Sequence, residues 1–317
     1  MLLPWRNISE TFDSHSHTIN YENTLIRGLS MKYVAPRKGV TMIIAAAAIT
    51  ALLAVTISTV KSDNIPVFTS RSDARAFYCE QILKHTKQIQ FTYVTDNSNT
   101  SQVCKFFNDD AFADEGSNFS LMGDYLRYSL FDGYKANCNY LKKDKKHYYT
   151  FRYRISYKTS KVQEKKFELQ LRSTLDSLKL EKKSDYGKVK AIYDYICDNV
   201  KYDNTHGPNY SQKYTAYAAL VNKSAVCQGY STLLYRMCKA ADIPVRIVAG
   251  TGKNENHAWN IVKLGEVYYN VDATWDAGRS EYAYFLKSDD AFTDHQRNDE
   301  YASPSFCAEN PTAVFSY

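Results

Sequence analysis

Three side chains stand out for the chemistry they could do together. They are Cys227 in Ala225-Val226-Cys227-Gln228-Gly229-Tyr230-Ser231, His257 in His257-Ala258-Trp259-Asn260, and Asp272 in Val271-Asp272-Ala273-Thr274-Trp275-Asp276. A thiol, an imidazole and a carboxylate are the parts of a nucleophile, its base and the group that orients the base. Such a set attacks a carbonyl through sulfur, forms a thioester, and needs hydrogen-bond donors for the oxyanion. Singly, each has a plainer reading: most isolated cysteines are small buried hydrophobes, and a lone histidine on a strand is more often a satisfied structural residue. The conjunction carries the weight.

The elements around these residues bear on whether they can meet. After Cys227 the apolar positions Tyr230, Leu233, Leu234, Met237, Cys238 and Ala241 follow the spacing of one buried helical face, and Pro244 lies just past its end. Cys227 is thus predicted in the first turn of a core helix, where free amides and the helix dipole favour a thiolate. His257 begins a strand-like run to Leu264, and a second runs from Val267 to Thr274, with Gly265-Glu266 between them. Glycine at the first loop position predicts a type II′ hairpin with Leu264 opposite Val267. Trp259 then faces Asp272, His257 faces Thr274, and His257 and Asp272 are diagonal neighbours on one face. A Leu264-Gly265 loop would set them directly opposite, also within reach. A three-residue loop would put them on opposite faces, because a one-residue slip flips every side chain.

Ala-Val-Cys-Gln-Gly-Tyr-Ser, Asn-His-Ala-Trp-Asn-Ile-Val and Tyr-Asn-Val-Asp-Ala-Thr-Trp-Asp resemble the three core motifs of the transglutaminase-like superfamily, closest to its bacterial members. The resemblance covers roughly Tyr186 to Cys307. It implies an α+β fold with a papain-like core, in which the nucleophile helix packs on an antiparallel sheet. It further implies Cys227 as nucleophile, His257 as general base and then acid, and Asp272 as the orienter. The Cys227 amide is a natural oxyanion donor. Tyr202 resembles the tryptophan that eukaryotic members place upstream of the cysteine, against the plainer reading of a packing tyrosine in a chain with 27 of them. Gln228 is a second candidate for lining the site. His295 is expected to be a structural hydrogen-bonder rather than a substrate contact.

The formal charge of +6 comes partly from lysine runs at 142–146, 161–166 and 182–183. Without a nucleic-acid motif these read as solvated faces, with anionic wall polymers a minor alternative, and no nucleic-acid partner is expected. Of the seven cysteines, Cys197 and Cys238 fall on apolar helix faces and read as buried thiols, while Cys79, Cys104, Cys138 and Cys307 are open to pairing. No spacing suits zinc, and neither metal nor cofactor is expected.

Taken in order, residues 1–37 read as a polar cytoplasmic tail. Val40 to Val60 is an uncharged apolar run of 21 residues, about 31 Å as a helix and enough to cross a bilayer. Arg27, Lys32, Arg37 and Lys38 precede it, which places the bulk of the chain outside the cytoplasm. A cleaved signal peptide is the alternative, disfavoured by the length of the run and the lack of a clear cleavage site. A linker at 62–70 then leads to a small α+β segment, 71–183, with helices over 74–84 and 163–178, strands over 88–94 and 148–157, and room for two short helices over 105–128. The catalytic domain is expected at 184–317, opening with a helix from Tyr186 to Val200 and a loop through Gly207-Pro208. A polar loop between Ala249 and Asn256 is expected to gate the cleft.

The expected function is that of a membrane-anchored, extracytoplasmic cysteine enzyme acting on peptide, isopeptide or glutamine amide bonds of surface or cell-wall peptides and proteins. Hydrolysis is favoured over protein crosslinking by transamidation. A surface binding or scaffold protein that keeps the fold without turnover is the reading from a different class.

Overall fold

The computed structural model describes residues 18–23, 65–113, 121–205 and 210–317. A first sheet comprises β1 (Thr18–Asn23), β2 (Val67–Phe68), β3 (Gln88–Thr95), β4 (Phe131–Lys143) and β5 (Lys146–Tyr157), in the order β1-β4-β5-β3-β2. Its pairs are antiparallel except β2 with β3. Helices α1 (Arg71–Leu83), α2 (Thr100–Asn108), the single turn α3 (Gly123–Tyr125) and α4 (Lys161–Leu178) accompany it. The two longer helices start where the side chains allow: Ser70 caps α1, and Ser160 with Gln163 forms a reciprocal capping box on α4. Aromatic side chains fill the space between sheet and helices, with Phe91, Phe107 and Phe151 at ring separations of 4.9 to 5.2 Å.

The sequence reading missed β4. Tyr134, Ala136 and Cys138 point inward while Lys135 and Asn139 point out, which is a strand alternation. Gly133 and a register irregularity beside Phe131 break its start, and Ala136 and the asparagines weaken its β signal, so only the pairing with β5 reveals it.

The second half begins with α5 (Asp185–Asn199), followed by β6 (Lys201–Tyr202) and β7 (Ser224–Ala225), which pair in parallel. Next come α6 (Cys227–Ala240), β8 (Val245–Gly252), β9 (Glu255–Leu264), β10 (Val267–Val271), α7 (Ala273–Asp276) and β11 (His295–Arg297), then α8 (Asp299–Ala302) and α9 (Pro304–Glu309). The sheet order is β10-β9-β8-β11, all antiparallel, and α6 packs on β8 and β9. The expected α+β core with its helix on an antiparallel sheet is therefore present.

Four expectations need correction or qualification. Within the stretch 1–37, read as a cytoplasmic tail, Thr18–Asn23 is instead a strand that pairs along β4 at the edge of the first sheet. The polar loop before Asn256 is no gate: β8 and β9 are joined by the two-residue turn Lys253-Asn254, both at positive φ, the backbone of a tight type I′ hairpin. The second strand of the site hairpin ends at Val271 rather than Thr274, because Asp272 caps α7. The cysteines open to pairing, Cys79, Cys104, Cys138 and Cys307, are free thiols, and Cys104 and Cys138 hydrogen-bond to each other. The Val40–Val60 run and the Gly207-Pro208 loop lie outside the described residues. Among the described residues no helix is long and apolar enough to cross a membrane.

One hydrophobic core runs through both halves, and buried polar bonds tie them. Arg246 of β8 donates from Nε to Asp124 Oδ2 at 2.9 Å, and the same oxygen accepts the Ile247 amide at 2.9 Å. Ser129 Oγ accepts from the Ala216 amide at 2.9 Å. Removing Asp124 leaves a nearly buried guanidinium and an amide without their acceptor. Asp124→Ala is expected to cost about 3–5 kcal/mol of unfolding free energy. Urea titration of the two proteins measures it.

Candidate active site

The helix that carries Cys227 is seated by a glycine. A Cβ on Gly229 would lie 2.6 Å from Ala225 Cβ and 2.8 Å from the Lys213 carbonyl oxygen. Neither can withdraw easily, so only glycine lets the first turn of α6 settle against residues 213–215. Cys227 is the first helical residue and is buried. The preceding Val226 has no side-chain acceptor to cap the first-turn amides. Positive potential at that end of the helix therefore acts on the sulfur and on any oxyanion formed beside it.

On the other side of the site, the hairpin has the parity that the chemistry requires. Leu264 pairs with Val267 and Asn260 with Val271, while Gly265 sits at φ 64° and Glu266 does not share its positive φ, as a type II′ turn demands. Past Val271 the chain turns into α7. Asp272 Oδ1 accepts the Thr274 amide at 2.9 Å, the geometry of a helix cap. The other oxygen, Oδ2, is 2.8 Å from His257 Nε2. His257 also hydrogen-bonds the Cys227 side chain. With Nε2 taken by the carboxylate, Nδ1 is the nitrogen left for the thiol. Asn260 locks the two sides together, its Nδ2 donating to the Ser231 carbonyl of α6 at 3.0 Å and to the Arg246 carbonyl of β8 at 3.2 Å.

Burial and hydrogen bonding compete over the charges. Burial by itself would push the Asp272 carboxyl up, but hydrogen bonds from His257 and then His295 outweigh it and hold the group at about 2. Burial would lower His257, but its bonds to Asp272 and Cys227 raise it to about 10. The stabilisation from His257 is complete below its ordinary value of 6.5 and is lost as pH rises through about 10. That from Asp272 is present above 3.8 and is lost as pH falls through about 2.

His295 was expected to be structural, and the structure brings it to the centre. Its Nε2 is 3.3 Å from the same Asp272 Oδ2, and its Nδ1 is 2.8 Å from Asp294 Oδ1. Nothing in the local sequence marks this, since β11 lies far from the hairpin along the chain. Trp275 stacks on His257 at 4.7 Å, an approach that depends on Gly252, where a Cβ would lie 2.8 Å from the indole. Asp276, quoted in the motif without a role, is fully buried. It accepts from Tyr193 Oη at 2.7 Å and from the Ala283 and Tyr284 amides, which holds the tail against the site.

Among the described residues, donor atoms of His257, Asp272 and His295 lie within 4.8 Å of one another, a group that could hold a metal ion. Zinc ligands at about 2.0–2.2 Å from the ion stand about 3.3 Å or more apart around a tetrahedron. The 2.8 Å between His257 Nε2 and Asp272 Oδ2 is a hydrogen bond instead.

Of the two further candidates, Tyr202 pairs with Ala225, two residues before Cys227, and is 49% exposed. Gln228 puts its amide to another use: Nε2 donates to the Tyr128 carbonyl and, at 3.5 Å, to that of Tyr214. Its donors thus anchor the start of α6 to the first half of the chain.

Residues 172–273 match the model of the transglutaminase-like superfamily, a stretch that includes Cys227, His257 and Asp272. The chain carries a transglutaminase-like core. Kyphoscoliosis peptidase of Mus musculus is 30% identical over 121 residues, covering 34% of this chain and 18% of the mouse protein. The human protein of that name is 30% identical over 108 residues, covering 30% and 16%. The chain thus spans less than a fifth of the curated relatives it matches. Among solved structures, a TGase is 15% identical, covering 73% of this chain and 64% of its own, at a TM-score of 0.34. The periplasmic domain of TgpA from Pseudomonas aeruginosa is 14% identical, covering 45% and 70%, at 0.28. Neither likeness is close enough to bear on the assignment.

Within this transglutaminase-like core, a charged His257 depends on Asp272. Asp272→Asn is expected to bring the alkaline limit of activity down from about 10 towards the ordinary histidine value of 6.5. It should also lower kcat by roughly 10⁴-fold, as loss of the orienting carboxylate does in such sets. A pH–rate profile of both proteins checks the two effects together.

Proposed function

We propose that the chain is a cysteine enzyme that works through a thioester at Cys227, with His257 as base and then acid and Asp272 orienting it. The observation that carries this reading is the chain of hydrogen bonds from the Cys227 side chain through His257 to Asp272, with the sulfur at an uncapped helix start. His257 takes the thiol proton, the thiolate adds to an amide carbonyl, and the oxyanion is stabilised by the Cys227 amide, with Tyr202 as the proposed second donor. His257 then returns the proton to the departing amine, leaving the thioester, which water attacks with His257 as base.

The bonds proposed to be cut are peptide, isopeptide or glutamine amide bonds of peptides and proteins. The peptidase name of the curated relatives supports the choice of hydrolysis. Attack by an amine instead of water would make the same site a crosslinking one. The Val40–Val60 run is apolar enough to cross a bilayer, but β1 before it pairs with β4 after it in one sheet, so a spanning helix with the site outside is not proposed.

Incubating the purified chain with a glutamine-containing peptide and a labelled amine separates the outcomes. Peptide cleavage or ammonia release without label is the expected result, while amine incorporation assigns transamidation. Cys227→Ala should abolish either activity without lowering the melting temperature. A Cys227→Ala protein as active as the parent would sink the assignment, whereas no turnover by either protein would leave the scaffold reading.

A further inference from the structure

His295 lies beyond the matched stretch 172–273, yet it shares an oxygen with the residue that orients the base. Its side chain is only 1% exposed. One ring nitrogen faces Asp272 Oδ2 at 3.3 Å and the other faces Asp294 Oδ1 at 2.8 Å. An ionised carboxylate only accepts hydrogen bonds, so a neutral imidazole would set a nitrogen lone pair against one of these oxygens. Both bonds are made only when both nitrogens carry protons. Asp294 is itself held in place, with Oδ2 accepting from Tyr284 Oη at 2.7 Å.

The surroundings hold the ring still. Phe292 stacks on it at 3.8 Å, and Trp275 and Trp259 lie at 4.3 and 5.0 Å. The titratable groups facing it are Asp272 at the start of α7, His257 on β9 at a ring separation of 5.3 Å, and Asp294 and Tyr284 from the tail. Two cations lie over rings of this cluster, Lys253 over Trp275 at 4.5 Å and Arg279 over Tyr284 at 5.6 Å, and Arg297 lies two residues on in β11. Thiol, imidazole, carboxylate, imidazole and carboxylate therefore follow one another in a hydrogen-bonded row.

We propose that His295 is a positioning residue, an imidazolium that shares the Asp272 carboxylate with His257, fixing its orientation and tempering its pull on the His257 proton. Without this second cation, Asp272 and Asp294 would together hold the proton on His257 more tightly. The base would then be a poorer acid when the leaving amine needs its proton. The inference rests on the reading of Cys227 as the nucleophile.

Iodoacetamide alkylation of Cys227 in the full-length protein, followed against pH by peptide mass spectrometry, needs no knowledge of the substrate. The rate changes where His257 loses its proton and no longer pairs with the sulfur, and that inflection is the readout. In His295→Gln and in His295→Phe it should move upward by about half a pH unit or more, since one stabilising cation has left a buried carboxylate. Gln keeps a donor to Asp272 without the charge, so a residue with a merely structural role would leave the inflection of His295→Gln in place. An unmoved inflection in folded variants overturns the proposal and leaves the nucleophile assignment standing. A wild-type Cys227 that reacts no faster than the exposed Cys307, and is indifferent to His257→Ala, overturns both. NMR of isotope-labelled histidine in the wild-type protein gives a test that does not depend on variants folding. His295 is expected to carry protons on both nitrogens at neutral pH, and a neutral tautomer there refutes the proposal.

Discussion

A carboxylate buried to 1% exposure stays ionised only if hydrogen bonds replace the water it has lost. Asp272 has three: the Thr274 amide on Oδ1, and the two imidazoles on Oδ2. Much of the second half of the chain can be understood as arranging them. The β9–β10 hairpin brings His257 to one side, the short helix α7 offers its first amides to the carboxylate that caps it, and the tail returns through β11 to add His295. Asp276, one turn after Asp272, binds the tail backbone that makes the return possible.

The thiol is held by different means. Its helix is seated by close packing at Gly229, by the Gln228 amide on the Tyr128 carbonyl of the first half, and by Asn260 bridging α6 to β8. These are short-range contacts among buried backbone groups, which tolerate little displacement because any orphaned carbonyl or amide carries a desolvation cost. The first half of the chain is therefore more than a preface. Tyr128, Ser129 and Asp124 each contribute an acceptor to the part that bears the site.

Much of this was legible beforehand. The buried face of α6, the two-residue Gly265-Glu266 turn and the register it imposes are local consequences of periodicity and of a glycine at positive φ. The structure reproduces the pairing of Leu264 with Val267. The strand β4 was not legible, because alanine, asparagine and glycine dilute its alternation and only the partner strand makes it stable. The supposed gate before Asn256 was misread for a related reason. Lys253-Asn254 makes a tight turn whose flanking residues Thr251-Gly252 and Glu255-Asn256 look like loop by composition, yet pair as strand ends.

The sequence by itself determined which atoms are available, a thiol at a helix start and an imidazole and carboxylate of matching parity, because these follow from local spacing. Only the tertiary structure decided that Asp272 leaves its strand to cap a helix and that Gln228 turns to backbone carbonyls. It alone decided, too, that a histidine 23 positions along the chain from Asp272 shares its oxygen. Such choices depend on which buried polar group reaches which partner in the folded chain, and no local pattern of residues encodes that.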